Sequence, residues 1–258
     1  MSAIAALAVE GLMRAFNGFQ AVNDVSFSIA PGEIVALIGP NGAGKTTTFN
    51  LINGQLKPDA GKVLMAGREV TGLDPRALWR QGVARTFQIT ATFPSMTVSE
   101  NVAVAVMAKD GGPWSGLGRL QRMTALAASA TAQLLADVGL EPLANRSCGT
   151  LAYGDLKRVE LAMALANAPH LLLMDEPTAG MAATQREALM ELTVKAARAR
   201  GATVLFTEHD MGIVFRHAER ILVMSRGQLV ATGSPEAIRE DATVREVYLG
   251  RTAALRRS

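Results

Sequence analysis

The stretch Gly39-Pro40-Asn41-Gly42-Ala43-Gly44-Lys45-Thr46-Thr47 constrains this chain more than any other. It follows an apolar run, Ile34–Ile38, that reads as a buried strand, and Thr46–Asn53 reads as the start of a helix. The G-x-x-x-x-G-K-T spacing alone turns up in unrelated chains. Strand, glycine loop and helix in that order favour a phosphate cradle over a glycine-rich turn with an incidental lysine. Gly39, Gly42 and Gly44 tolerate the dihedrals that turn backbone N–H groups inward into a nest. The helix N-terminus adds positive partial charge at the same point. Lys45 supplies a full charge for the β- and γ-phosphates of a nucleotide, and Thr46 offers a hydroxyl to Mg²⁺.

The rest of the chain reads as an α/β core with a helical insertion. Leu7–Leu12 and Val22–Ile29 are predicted strands. The second alternates Val25, Phe27 and Ile29 with polar neighbours, as a half-exposed antiparallel strand does. Pro31-Gly32 is a turn, Lys57–Gly61 a loop and Lys62–Met65 a further strand. Pro75–Gln81 reads as a short helix and Val83–Phe87 as a strand. From about Thr97 to Ala168 the pattern is helical, with helices at Val102–Ala108, Ala125–Val138 and Leu156–Ala168 and a glycine-rich linker, Asp110–Gly118, around Trp114. Leu171–Met174 reads as a buried strand of a parallel sheet. Ala183–Arg200 is a predicted helix, and Thr203–Thr207 and Ile221–Met224 are predicted strands. Ser225–Gly227 with Gln228–Thr232 makes a terminal hairpin or edge.

Composition removes several function classes. A chain of 258 residues can bury one sizeable core, with room for a subdomain. Lys and Arg number 26 against 23 Asp and Glu, a net charge of +3 with both signs interspersed. That surplus reads as ordinary solvated surface, not as a nucleic-acid footprint. Arg251, Arg256 and Arg257 read as a frayed basic tail. Cys148 is the single cysteine, which excludes an internal disulfide and fits a reducing cytosol. His170, His209 and His217 are too few to favour a histidine-based metal site. No segment approaches about 18 consecutive strongly apolar residues, so no membrane span is expected. Met123–Ala136 lacks charges but reads as a packed helix. Met1–Val9 lacks the basic start of a secretory signal. Work at a membrane would run through partners.

Other stretches gain weight from the phosphate loop. Leu171–Glu176 is four apolar residues followed by two carboxylates, commonplace by itself. At a strand end beside a phosphate loop, Asp175 can hold Mg²⁺ through water, and Glu176 can orient or deprotonate an attacking water. Gln88 ends the strand in Arg85-Thr86-Phe87-Gln88; one glutamine says little alone. Leu151-Ala152-Tyr153-Gly154-Asp155 precedes a long helix, whose first N–H groups can hold a phosphate. On that pentad alone an ordinary helix cap is favoured. Thr207-Glu208-His209-Asp210 follows a strand, and His209 there can bond a γ-phosphate.

In this order, the motifs resemble those of the ATP-binding cassette ATPases over nearly the whole chain. The matching positions are the Walker A loop at Gly39–Thr47, the Q-loop glutamine at Gln88, the signature at Leu151–Asp155, the Walker B strand at Leu171–Glu176 and the switch histidine at His209. Phe16 matches the family's aromatic that stacks on adenine. Arg85-Thr86-Phe87-Gln88, Phe93, Met96-Thr97-Val98, Glu100-Asn101, Trp114-Ser115-Gly116-Leu117, the Leu-Ala-Tyr-Gly signature and the ending Val247-Tyr248-Leu249-Gly250 resemble the ATPases of branched-chain amino acid importers.

The resemblance implies a P-loop NTPase (RecA-like) core with an antiparallel β subdomain over about 5–96 and 169–250. An inserted α-helical subdomain would span about 97–168, and a basic tail 251–258. It implies ATP and Mg²⁺, with Thr46, Gln88 and Asp175 around the metal, Glu176 as base and His209 reading the γ-phosphate. It implies a head-to-tail dimer with a second cassette subunit, identical or merely similar. Each ATP would lie between Gly39–Thr47 of one subunit and the signature of the other. Two membrane permease subunits would dock in a groove formed by 88–101 and the helical block, with a periplasmic solute-binding protein involved indirectly and no nucleic acid. The place implied is the cytoplasmic face of the inner membrane.

Three positions depart from the general cassette pattern. Ala152 replaces the signature serine, Asp155 replaces a common Gln or Glu, and Ala182 in Thr178-Ala179-Gly180-Met181-Ala182 stands where Asp or Asn is expected. The first removes a hydroxyl for the γ-phosphate, the second sets a carboxylate near it, and the third removes a polar contact across the dimer. Three other readings stand beside import: a lipopolysaccharide-export ATPase, a soluble cassette for repair or translation, and a nucleotide-binding regulator without turnover. No long heptad block or second cassette supports the soluble reading. Intact Lys45, Asp175, Glu176 and His209 argue against the regulator.

Overall fold

The computed structural model describes residues 4–86, 92–109 and 117–246; the side chains at 109 and 117–125 lie outside that description. Phe87, Gln88, Trp114, the ending Val247–Gly250 and the basic tail 251–258 therefore fall outside the described residues.

The chain opens with a hairpin of two long strands, β1 (Leu7–Phe16) and β2 (Phe19–Ile29). Asn17 and Gly18 join them, with φ of 48° and 83°. Two successive left-handed residues match the twist of a two-residue hairpin, and Asn-Gly is the pair best suited to it. The sequence reading stops β1 at Leu12 and starts β2 at Val22, because it passes over this signal. β3 (Ile34–Ile38) then leads into the phosphate loop and α1 (Lys45–Ile52). β4 (Ala60–Met65) and the short β5 (Arg68–Glu69) complete a four-stranded antiparallel sheet in the order β2-β1-β4-β5.

α2 (Pro75–Arg80) is capped by Asp74, whose carboxylate accepts from the Ala77 N–H. β6 (Val83–Thr86) follows. Three helices come next: α3 (Val98–Lys109), α4 (Leu117–Asp137) and α5 (Tyr153–Leu165). Thr97 and Glu100 exchange side-chain bonds with each other's N–H groups at the start of α3, at 3.2 and 2.7 Å, a capping box. Asn101, fully buried, bonds Phe93 through both amide ends. These two residues, read from the sequence as marks of one branch, thus have a local task in fixing the entry to α3.

The second sheet holds β7 (Leu171–Asp175), then, across α6 (Ala183–Arg200), β8 (Thr203–Thr207). α7 (Met211–His217) precedes β9 (Arg220–Ser225), and β10 (Gln228–Gly233) closes the sheet before α8 (Pro235–Glu240). The strand order is β10-β9-β3-β8-β7-β6, parallel except for β10 at the edge. α7 and α8, which periodicity does not mark, are capped by the side chains of Asp210 and Ser234.

Both faces of this sheet are covered, which is why its strands are continuous apolar runs. Along β3, Ile34, Ala36 and Ile38 pack into a core with α3–α6, where Val102, Leu135, Val159 and Met190 meet them. Val35 and Leu37 point the other way, into a core shared with the antiparallel sheet and with Phe49 of α1. Parallel strands place their carboxyl ends along one edge. The loop after β3, the carboxylates ending β7 and the His209 segment after β8 therefore converge there, where open α/β sheets bind ligands.

Candidate functional site

Residues 41–47 line a cavity of about 380 Å³ together with Phe19, Ala21, Glu176 and His209. The loop's shape needs glycine at two packed points. A Cβ on Gly39 would stand 2.3 Å from the Met224 carbonyl oxygen, and one on Gly44 2.4 Å from that of Ala21. Both residues also hold positive φ, 154° and 98°. The Lys45 Nζ donates to the Gly39 and Pro40 carbonyls at 2.7 and 3.3 Å. Burial pushes its ammonium below the ordinary lysine value, against the Glu176 and Asp175 charges that raise it. The side chain thus lies along the loop it serves, a charge held over the cradle by backbone carbonyls.

Asp175 is 4% exposed, and both its oxygens are engaged: Thr207 Oγ1 donates at 2.7 Å and Arg85 at 3.3 Å. Arg85 also bonds Asn50 and Gln55, which ties the strand beside β7 to α1. No local sequence pattern marks Thr207 or Arg85 for this task. Glu176 has φ of 49°, an uncommon conformation for a residue with a side chain. It costs of order 1–3 kcal/mol and persists because neighbours impose it. Here the Glu176 N–H donates to the Thr207 carbonyl and hydroxyl, at 3.2 and 3.0 Å. The turn aims the carboxylate into the cavity, where its Oε1 lies 2.7 Å from His209 Nε2. A carboxylate, an imidazole and an ammonium thus face one cradle of N–H groups, an arrangement suited to polarising and deprotonating a water beside a phosphate.

The pentad Leu151–Asp155 lies at the start of α5, with Ala152 as its N-cap residue. Ala182 holds the same position on α6. Neither provides a side-chain acceptor, so each helix begins with N–H groups that only solvent or another molecule can satisfy. Asp155 lies 3.9 Å from Arg158 one turn on, which offsets its charge. Asp at an N-cap stabilises over Ala by typically about 1 kcal/mol, which in a chain of this size raises Tm by about 2–4 °C. Ala182→Asp is therefore expected to raise the calorimetric Tm; an unchanged or lower Tm would contradict this account of the α6 start.

The chain matches the ABC transporter family model over residues 22–179, more than half its length. It belongs to that family. It is an ATP-binding cassette ATPase, and residues 228–254 also match the model of branched-chain amino acid ATP-binding cassette transporters. It is 41% identical over 248 residues to the high-affinity branched-chain amino acid transport ATP-binding protein LivG of Escherichia coli K12, covering 95% of this chain and 97% of that one. The crystal structure of the ADP conformation of MJ1267, an ATP-binding cassette of an ABC transporter, superposes with a TM-score of 0.82 at 31% identity, covering 95% of this chain and 99% of that one. The dimeric post-hydrolysis cassette MJ0796, bound to ADP and phosphate, gives 0.74 at 27% identity over 89% of this chain and 98% of that one.

Among the cassette's other expected site residues, Phe16 ends β1 and is 39% exposed, with the Arg14 guanidinium 5.0 Å from its ring centre. It is paired across the hairpin with Phe19, which is 65% exposed and lines the cavity. The sequence signal for Phe19 is the Asn-Gly turn that sets it opposite Phe16. Gln88 lies outside the described residues. For Mg²⁺, the donors present are hard oxygens, the chemistry that ion prefers: the Thr46 hydroxyl, whose residue lines the cavity, and the Asp175 carboxylate, whose charge acts on Lys45. A larger cleft, about 630 Å³, opens at the opposite ends of the strands beside Ile4, Met65 and His170; of the five cassette motifs only Leu171, the start of the Walker B strand and far from its carboxylates, lines it.

Proposed function

We propose that this ATPase is the nucleotide-hydrolysing subunit of an importer for branched-chain amino acids. The observation that carries it is the single cavity shared by the phosphate loop, Glu176 and His209. The cargo reading rests on the likeness to LivG and on the match over 228–254, which favours import over lipopolysaccharide export.

In this reading residues 39–47 and the Lys45 ammonium bind the triphosphate of ATP, with Phe16 against the base. Thr46 and Asp175, with Gln88, would hold Mg²⁺. The ion would neutralise charge on the phosphate oxygens. Asp175, already bonded to Thr207 and Arg85, acts through water rather than by direct approach. Glu176 takes the proton of the attacking water and His209 holds that carboxylate in place while facing the γ-phosphate. Leu151–Asp155 of a second cassette closes over the nucleotide. With Ala152 at the cap, its donors are the backbone N–H groups that open α5. ATP favours the closed pair, and loss of phosphate reopens it, so differential affinity drives the cycle.

Among the described residues no helix is long and apolar enough to cross a membrane. With the likeness to transporter ATP-binding subunits, the reading puts the chain at the cytoplasmic face of the inner membrane, held by two permease subunits. Phe93, half exposed near the start of α3, belongs to the surface that would receive them. A periplasmic solute-binding protein would deliver the cargo. The second cassette is a copy of this chain or a related one. Affinity purification of the tagged chain from gently solubilised membranes, followed by mass spectrometry, is expected to recover two polytopic permeases and a cassette. Recovery of the chain without any membrane protein would count against the proposal.

A further inference from the structure

Glu208 has no part in the chemistry above, yet it is 5% exposed and three donors converge on it. Thr178 gives its N–H and its hydroxyl to Oε1, at 3.0 and 2.6 Å. His209 gives its N–H to Oε2 at 3.1 Å. One carboxylate thus grips two loops, that of His209 beside the cavity and 178–182 between β7 and α6. The far part of 178–182 touches the start of α5. A Cβ on Gly180 would stand 3.6 Å from Tyr153 Cε1, and one on Gly154 3.6 Å from Met181 Cε. Bonds thus link His209, Glu208 and Thr178, and the loop that follows Thr178 lies close beside Tyr153-Gly154.

We infer that Glu208 is a positioning residue that couples His209, facing this chain's own nucleotide, to the α5 N-terminus, which faces the nucleotide of the second cassette. The inference rests on the proposed function, since that reading gives α5 its task in the partner's site. A buried carboxylate with three donors has no second arrangement that satisfies them. Leaving any of them unmet carries a desolvation penalty. A shift of the His209 backbone with the phosphate it faces must therefore move Glu208, and Thr178 moves with it. Coupling of this kind needs an element that both sites bias, and the 178–182 loop, gripped at one end and lying beside α5 at the other, is placed to be that element. Ala182 adds no side-chain acceptor at the loop's end, so the grip at Thr178 carries more of the loop's placement.

The test uses the purified full chain and Glu208→Gln, which keeps the volume but turns an acceptor into a donor facing donors. Hydrogen exchange is followed with and without ATP. Wild type is expected to show ATP-dependent slowing at 208–210, at 178–182 and at 153–155. The variant is expected to keep the first and lose the other two. Its KM for ATP should stay within about twofold while kcat falls about tenfold or more, the signature of lost placement and not of lost binding. Thr178→Val, which removes one donor and keeps the shape, should reproduce the split if Glu208→Gln does not fold. Thr178→Ser should recover most of the loss. ATP protection of 153–155 retained in Glu208→Gln or Thr178→Val would overturn the inference. Glu176→Gln runs in parallel. If it still turns over ATP, the site reading fails and takes this inference with it; if it is inert while Glu208→Gln matches wild type, the clamp alone is wrong.

Discussion

Glu176→Gln is expected to bind ATP and to release almost no phosphate. The substitution is isosteric, and the backbone that holds residue 176 at φ 49° is bonded through its N–H to Thr207, which the change leaves alone. What goes is the basic oxygen. A general base is worth about 10²–10⁴ in rate, so kcat should fall by that factor. ATP affinity should hold within about threefold, because the binding groups are the loop N–H donors and Lys45. Arrest before hydrolysis should also stabilise the closed pair of cassettes. Steady-state phosphate release beside a fluorescent-nucleotide titration separates the two quantities. Turnover at the wild-type rate would remove Glu176 from the mechanism.

Lys45→Met is expected to do the opposite, keeping the fold while losing the nucleotide. The Lys45 ammonium is nearly buried and meets the Gly39 and Pro40 carbonyls, and burial works against its charge. Methionine fills the space of the stem and brings no charge to bury. Two effects then oppose each other in stability: relief of desolvation, and two carbonyls left with fewer donors. Tm should move by no more than about 3 °C, the effect of roughly 1 kcal/mol in a chain this size. Binding has no such compensation. Truncating one partner of a buried charge pair costs about 2–5 kcal/mol, or roughly 30- to 4,000-fold in affinity. Calorimetric titration with ATP and a thermal scan check both halves. Unchanged ATP affinity would mean that Lys45 only packs the loop.

The parallel strands were legible because burial on both faces writes them as unbroken apolar runs; Thr203–Thr207 is the same in sequence and structure. α6 was read to its ends, Ala183 and Arg200, since Gly201 stops it in a left-handed conformation. The short elements were not. α7 and α8 have one or two turns, too few for periodicity, and only their caps, Asp210 and Ser234, betray them. In the site, the order of motifs named the groups that now share a cavity, Lys45, Thr46, Glu176 and His209. Their supports were hidden, because a support is a pairing between distant residues. Thr178 and Glu208 are 30 positions apart, and Arg85 and Asp175 are 90. Nor does any local pattern announce the positive φ of Glu176, which the Thr207 bonds impose from the next strand. The alanines at 152 and 182 looked in sequence like lost functional groups. The structure adds that each is also a helix cap without an acceptor, so their consequences reach stability as well as chemistry.

If ATP hydrolysis in this cavity drives the uptake of branched-chain amino acids, that uptake depends on this chain and on its Glu176. Uptake of radiolabelled leucine at low external concentration, in cells lacking this chain, tests it most directly. Uptake is expected to be lost, to return with the wild-type chain, and not to return with Glu176→Gln present at the same level in the membrane. Leucine uptake that persists without the chain, or that Glu176→Gln restores, would contradict it.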